Sequence, residues 1–342
     1  MNSTAPQASA NALAIPAPSG FWLIEVLRLT RWELYLAWRR VMAKVLIILL
    51  VVFYAIVVGF VGFALTTIQN QPPPQAFQCP PDAVGCQAPT QEQLDAERAA
   101  NIAQFSGPVT FPSSLGFAAS FTRIVGLILI CIMAGTLVGS EYGFSTQRLA
   151  LSRGTSRLQI LTAQACALAI ISMIMAGGMM VLATLVGVTV GPAFGVAISM
   201  PSFGGWMEIA KFFIAFSFSL FAYTLLALAA ATLGKGTAAG IGLTFGVIVL
   251  ELILTPLLTA IGAVLVGIAH NDFGNVLAHI PDWFLGSNVA ALLGHAGQYP
   301  IALAPDPGPN FTFARAFVVS IIYCAIFFGA SYLLLSRRDV TE

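Results

Sequence analysis

The sequence predicts an all-α integral membrane protein with six transmembrane helices. Its 342 residues are 58% hydrophobic and only 8% charged, and the mean hydropathy is +0.88, far from the usual composition of soluble domains. A helix needs about 20 mostly apolar residues to cross a bilayer, and six stretches between polar breaks reach that length. They lie near residues 44–68, 116–139, 160–190, 207–233, 237–268 and 312–335.

The chain before the first span is predicted to stay outside the bilayer core. Residues 1–20 contain no Lys or Arg and no continuous apolar run, which favours a disordered cytoplasmic tail over a cleaved signal peptide. Residues 21–42 place apolar residues such as Leu23 and Leu27 at three- and four-residue spacing, with charges mostly opposite. This pattern predicts an amphipathic helix in the membrane interface. Residues 43–342 then form the six-span domain.

The fifth apolar stretch is longer than the hydrocarbon core of a bilayer, and it contains Pro256. Proline removes a backbone donor and crowds the preceding turn of a helix. We therefore predict that the fifth span ends near residue 255 and that a kinked, partly re-entrant segment follows it, before span six.

The distribution of Lys and Arg orients the helices. If the N-terminus is cytoplasmic, eleven basic residues fall on the inner side and four on the outer side, in agreement with the positive-inside rule. Both termini are then cytoplasmic in the cell (inner) membrane, and the loops at about 69–114 and 269–311 are extracytoplasmic. Of the outer four, Arg123, Lys211 and Arg315 are expected at helix ends, where they can snorkel to the interface.

Composition and motifs exclude several classes of function. The net charge of +1 argues against a nucleic-acid partner. Neither a Gly-x4-Gly-Lys-Ser/Thr phosphate loop nor a common catalytic or zinc motif occurs in the sequence. We therefore expect no enzyme activity, no cofactor and no metal site in this chain. Cys79 and Cys86 flank a turn-rich outer loop and could form a disulfide.

The loop between spans two and three has a distinctive pattern. A glycine and an acid end the second span, a short polar segment follows, and three arginines precede the third span. Three arginines alone could serve to orient the neighbouring helices, but that leaves the acid and the Gly143-to-Thr146 arrangement unexplained. The residues concerned are Glu141, Gly143, Thr146, Arg148, Ser152, Arg153, Ser156 and Arg157.

On these residues the sequence resembles the type-2 ATP-binding-cassette (ABC) exporter permeases, which include antibiotic, lantibiotic and sodium exporters. Members of that family carry a Glu, a Gly, a Thr, a Ser-Arg pair and a second Arg in this order after the second span. The chain departs from the pattern by an extra residue between Gly143 and Thr146, and by Gly154-Thr155 where many members have proline.

The resemblance implies a function for the whole chain. In the family this loop is a coupling helix that docks in a groove of an ATPase subunit. The chain is then a permease subunit of an exporter, paired with a second copy or a related permease and with two ATPase subunits. ATP and Mg bind to the ATPase subunits rather than to this chain. Hydrophobic compounds, peptides, lipids and ions are all compatible cargoes.

Glu251 lies near the middle of the predicted fifth span, where a carboxylate is costly unless it is paired, solvated or protonated. It could contact cargo in the translocation pathway together with Pro256. Alternatively, it could be a structural acid bonded to backbone groups that Pro256 leaves free. Two other functions stay open for the chain as a whole: an ion-coupled secondary transporter, and a membrane anchor or sensor subunit that transports nothing.

Overall fold

The computed structural model describes residues 21–71, 90–143, 154–194, 198, 200–269, 272–297 and 311–337, and the regular elements within them are all helical. A π-helical turn, Thr122–Gly126, joins the fourth helix to the fifth, and short 3-10 turns lie at Gly107–Val109 and Ile280–Trp283. The helices are α1 (Phe21–Arg39), α2 (Val41–Asn70), α3 (Gln91–Ser106), α4 (Ser113–Phe121), α5 (Leu127–Gly143), α6 (Arg157–Ala193), α7 (Phe203–Gly234), α8 (Thr237–Ala269), α9 (Asp272–His279), α10 (Leu285–Ala296) and α11 (Phe313–Arg337).

Six helices are long and apolar enough to cross a membrane, which fits a multi-pass membrane protein. They are α2, the joined α4 and α5, α6, α7, α8 and α11. The six predicted apolar stretches are confirmed as helices, and the ends of these helices differ from the ends of the stretches by about four residues at most, as expected for boundaries read from hydropathy.

Helix α7 forms the centre of the bundle. It packs against α5, α6, α8, α10 and α11 and is the most buried of the six long helices. The rings of Phe212 and Phe216 are fully enclosed there, so these aromatic residues contribute to packing. Helix α8 is the least buried of the six and leaves most of its apolar surface exposed.

Helix α1 packs on the bundle through one face and leaves its predicted apolar face exposed. It packs on α6 through Val26, Thr30 and Glu33, whereas Leu23 and Leu27 are each 60% exposed. The helix ends at Arg39, because Arg40 adopts an extended conformation before α2 begins. The apolar surface of α1 is therefore free to meet something other than this bundle.

The prediction that span five ends near residue 255 is wrong, because α8 continues through Pro256 to Ala269. The hydroxyl of Thr255 donates to the carbonyl of Glu251 at 2.7 Å, beside the carbonyl that proline leaves without its usual donor. Packing of α9 against the later part of α8 holds the helix on the far side of the proline.

The segment that folds back is α9 and α10, which meet at an angle of 69°. We call these two helices and the turn between them the hairpin. Helix α9 lies so close to α8 that a Cβ on Gly262 would come within 2.6 Å of the backbone nitrogen of Ala278. Glycine is required at this approach, since a side chain would force the two helices apart.

Candidate functional site

A first candidate site lies at the end of the bundle where α5 finishes. The carboxylate of Glu141 accepts a hydrogen bond from the Nε2 of Gln164 in α6, at 2.6 Å. Its carboxyl group is also hydrogen-bonded to that of Glu33 in α1. Because an ionised carboxylate can only accept, this bond requires a proton on one of the two carboxyl groups. We call Glu33, Glu141, Gln164 and Arg40 the carboxyl cluster; it joins α1, α5 and α6.

The environment of Glu33 favours its neutral form. Burial raises the pKa of Glu33 above its ordinary value, while the hydrogen bond with Glu141 and the positive charge of Arg40 act in the opposite direction. Arg40 is itself fixed by donation from its Nη1 to the carbonyl oxygen of Thr136, at 2.8 Å. The carboxyl cluster therefore combines a shared proton with one anchored cation.

The start of α6 is tied to the end of α11. Ser156 and Gln159 form a reciprocal capping box at the first turn of α6. The Nη1 of Arg157 donates to the carbonyl oxygens of Leu335 and Ser336, each at 2.7 Å. Arg157 thus satisfies carbonyl groups in the last turn of α11, which have no partner within that helix. The sequence did not predict this internal contact.

The predicted coupling loop is described at its two ends. Gly143 ends α5, and Gly154 just before α6 has a φ of +90°, which proline cannot adopt. Glycine adopts this conformation without strain. Thr146, Arg148, Ser152 and Arg153 lie outside the described residues, as do Cys79 and Cys86 of the predicted disulfide.

A second candidate site surrounds Glu251 in α8. Its two carboxylate oxygens accept hydrogen bonds from the backbone nitrogens of Leu285 and Gly286, each at 3.0 Å. These amides form the first turn of α10, where the helix dipole also favours a negative charge. Glu251 therefore caps the hairpin from a neighbouring helix, and its partners are not the backbone around Pro256.

Close packing and further bonds fix the hairpin tip. A Cβ on Gly286 would lie 2.9 Å from Oε2 of Glu251 and 3.2 Å from the hydroxyl of Tyr223. Tyr323 donates from its hydroxyl to the carbonyl oxygen of Trp283 at 3.0 Å, and the guanidinium of Arg315 stacks over the Trp283 ring at 4.9 Å.

The histidines of the hairpin region make separate contacts. His279 pairs with Asp282 through Nδ1 at 2.9 Å, and Nε2 of His295 lies 2.7 Å from the carbonyl oxygen of Phe311. His270 is outside the described residues. Within the described part of the chain, no three His, Cys, Asp or Glu side chains are grouped closely enough to hold a metal ion.

The sequence missed several residues of these sites. Glu33 could have been found, since Val26, Thr30, Glu33 and Ala37 follow helical spacing as a second, narrower face of α1. Nothing in the local pattern marked Gly286 as a contact of Glu251. Arg123 was expected at a helix end but lies in the π-helical turn, ten residues inside a helix that begins at Ser113.

The six long helices and their polar contacts define a protein of the multi-pass membrane class. No model of a known protein family matches the chain, and no curated protein matches it as a relative.

Proposed function

We propose that the chain is the membrane-spanning permease subunit of an ABC exporter, which moves its substrate with energy from ATP hydrolysed by a separate ATPase subunit. The observation that carries this proposal is that the helix ends on either side of residues 144–153 are bonded to other helices. The carboxyl cluster ties the α5 end of this loop to α1 and α6, and Arg157 ties its α6 end to α11. A force applied to the loop would reach four helices at once.

The placement of the other elements supports the same proposal. With both termini in the cytoplasm, this loop faces the compartment that supplies ATP. The exposed apolar face of α1, including Leu23, Leu27 and Trp38, suits a helix that lies in the inner membrane interface.

The hairpin is then a re-entrant segment. Its tip reaches Glu251, which is 14 residues into α8 from Thr237 and so roughly 21 Å along that helix. Two copies of the chain, or this chain and a related permease, would pair with two ATPase subunits. These subunits bind ATP and Mg.

The test is purification of the tagged full-length chain from its native host, with measurement of bound ATPase subunit and of ATP hydrolysis. Arg153→Glu should lower both by about tenfold, because a charge-assisted contact in the partner groove is worth at least ~1.5 kcal/mol. Arg157→Glu is a poorer variant, since it also breaks the bond to α11.

Arg31→Glu is the matched control, because Arg31 is an exposed residue of α1 on the same side of the membrane. It should leave hydrolysis unchanged. A chain that transports under a proton gradient without any ATPase would be a secondary transporter. A chain that binds the ATPase but gives no flux in inside-out vesicles would be an anchor or sensor.

A further inference from the structure

Arg123 is a charged residue inside a long apolar helix, and no described residue forms an ion pair with it. It lies 19 residues before Tyr142 in the helix that begins at Ser113, and it is partly buried. Among the described residues, Arg123 forms no ion pair and no side-chain hydrogen bond. A cation inside a membrane helix is costly and is normally paired or in contact with a ligand or water.

Arg123 lies at the same depth in the bundle as Glu251. Gly135 of α5 touches Gly240 of α8, with a Cβ on Gly135 only 3.1 Å from the Gly240 backbone, and this contact sets a common level. Measured along its own helix from this contact toward the hairpin, Arg123 is 12 residues from Gly135, a rise of roughly 18 Å. Glu251 is 11 residues from Gly240 in the same direction, a rise of roughly 16 Å. An acid at this depth could compensate the arginine, but Glu251 bonds to the hairpin and forms neither an ion pair nor a hydrogen bond with Arg123.

Two features around Arg123 point to a binding site. The π-helical turn Thr122–Gly126 displaces the backbone from regular α geometry, and such turns inside α-helices are frequent at functional sites. The hydroxyl of Tyr223 in α7 lies near the carboxylate of Glu251, since a Cβ built on Gly286 would be 3.2 Å from the first and 2.9 Å from Oε2 of the second. Tyr223 is also within electrostatic range of Arg123. A guanidinium and a hydroxyl together can hold a carboxylate or phosphate through several donors.

We propose that Arg123 and Tyr223 bind the anionic head group of an amphiphile in the membrane-spanning bundle. The apolar body of the ligand follows from the surroundings, because Ile124 and Ile128 next to Arg123 are 50% and 36% exposed and offer an apolar surface at this depth. An apolar chain attached to the carboxylate or phosphate would offset part of the cost of bringing the charge to this depth. The site is a property of this chain alone and does not require the proposed ATPase partner.

Binding is tested on the purified full-length chain in nanodiscs of zwitterionic phosphatidylcholine. Oleate and methyl oleate are compared as probes that differ in the negative charge, and dioleoyl phosphatidic acid tests a phosphate head group. The melting temperature of the protein is measured at increasing concentrations of each probe. Wild-type protein should show a saturable rise with oleate or phosphatidic acid and none with methyl oleate.

Arg123→Gln should weaken binding of the anionic probes at least tenfold, and Tyr223→Phe should weaken it about threefold. Lys211→Gln removes a positive charge from the exposed part of α7 and should bind as wild type does. Preference for phosphatidic acid would identify a lipid head group, and preference for oleate would identify a carboxylate ligand. Equal shifts with oleate and methyl oleate, or wild-type affinity in Arg123→Gln, would overturn the proposal.

If Arg123→Gln does not fold, Arg123→Lys keeps the charge but loses the planar, two-pronged donor arrangement. It should then bind the anionic probes severalfold more weakly than wild type. Unchanged affinity in both Arg123→Lys and Tyr223→Phe would contradict the site.

Discussion

The two ends of the bundle bury carboxyl groups in opposite ways. Near the hairpin, Glu251 meets two backbone amides at the start of α10, which stabilise its ionised form. In the carboxyl cluster, Glu33 and Glu141 are close enough to share a proton, and burial raises the pKa of Glu33. At the hairpin, the partial positive charge of a helix N-terminus balances the carboxylate. In the carboxyl cluster, a proton neutralises one of the two acids.

The difference shows how the burial of an acid can serve two purposes. A carboxylate on a helix N-terminus positions that helix, because both of its bonds point at one turn. A carboxyl pair links helices through a bond that exists only while the proton is present. The carboxyl cluster is therefore expected to respond to pH.

The largest effect is expected from Glu251→Ala. This change removes two hydrogen bonds to a charged group, each worth at least ~1.5 kcal/mol, so the hairpin should lose about 3 kcal/mol of local stability. Hydrogen-exchange mass spectrometry should show faster exchange in residues 285–296. Glu251→Gln should give about half the effect, and Glu208→Ala in α7 is the control. Unchanged exchange in Glu251→Ala would show that Glu251 does not hold the hairpin.

A smaller effect is expected from Gly286→Ala. The added Cβ would lie 2.9 Å from Oε2 of Glu251, so the carboxylate or the hairpin must move, at a cost of about 1–2 kcal/mol. Gly178→Ala is the matched control, because nothing lies within 4 Å of a Cβ built there. Thermal unfolding in a neutral detergent measures both. Equal melting temperatures for the two variants would contradict the tight contact at Gly286.

The smallest effect should be a pH dependence at the carboxyl cluster. The pKa of Glu33 is raised from its ordinary value of 4.5 by burial, so the folded protein holds a proton that the unfolded chain releases. This contribution to stability is fully present below pH 4.5 and is lost as pH rises through the raised pKa. The positive charge of Arg40 and the hydrogen bond to Glu141 oppose the rise in the pKa of Glu33 that burial causes. The change in stability with pH should therefore be modest.

Melting curves of wild type, Glu33→Gln and Glu25→Gln over a range of pH test this dependence. Glu33→Gln should flatten the decline, because an amide cannot ionise, and Glu25→Gln on the same helix should leave it as in wild type. A wild-type decline that persists unchanged in Glu33→Gln would assign the titration to another group.

How far the sequence could predict the sites differs from residue to residue. Glu251 was recognisable, because an acid in an apolar stretch is rare and costly. Its partner was not, since Gly286 is 35 residues away and becomes a neighbour only when the hairpin folds back onto α8. Pro256 led to a wrong boundary, because its local cost to the helix was overridden by the packing of α9. Arg123 was placed at an interface because charge alone does not reveal depth.

What the sequence determined by itself is the set of long helices. Their apolar length follows from the thickness of a bilayer and needs no knowledge of neighbours, which is why six apolar stretches could be located to within a few residues, the end of span five at Pro256 excepted. Only the tertiary structure decided which charged groups have partners. Glu251 is bonded to the hairpin, Glu33 to Glu141, and Arg157 to the end of α11. Arg123 has no charged partner among the described residues. Compensation depends on atoms a few ångströms apart that lie far apart in sequence, so it is fixed by packing and not by local pattern.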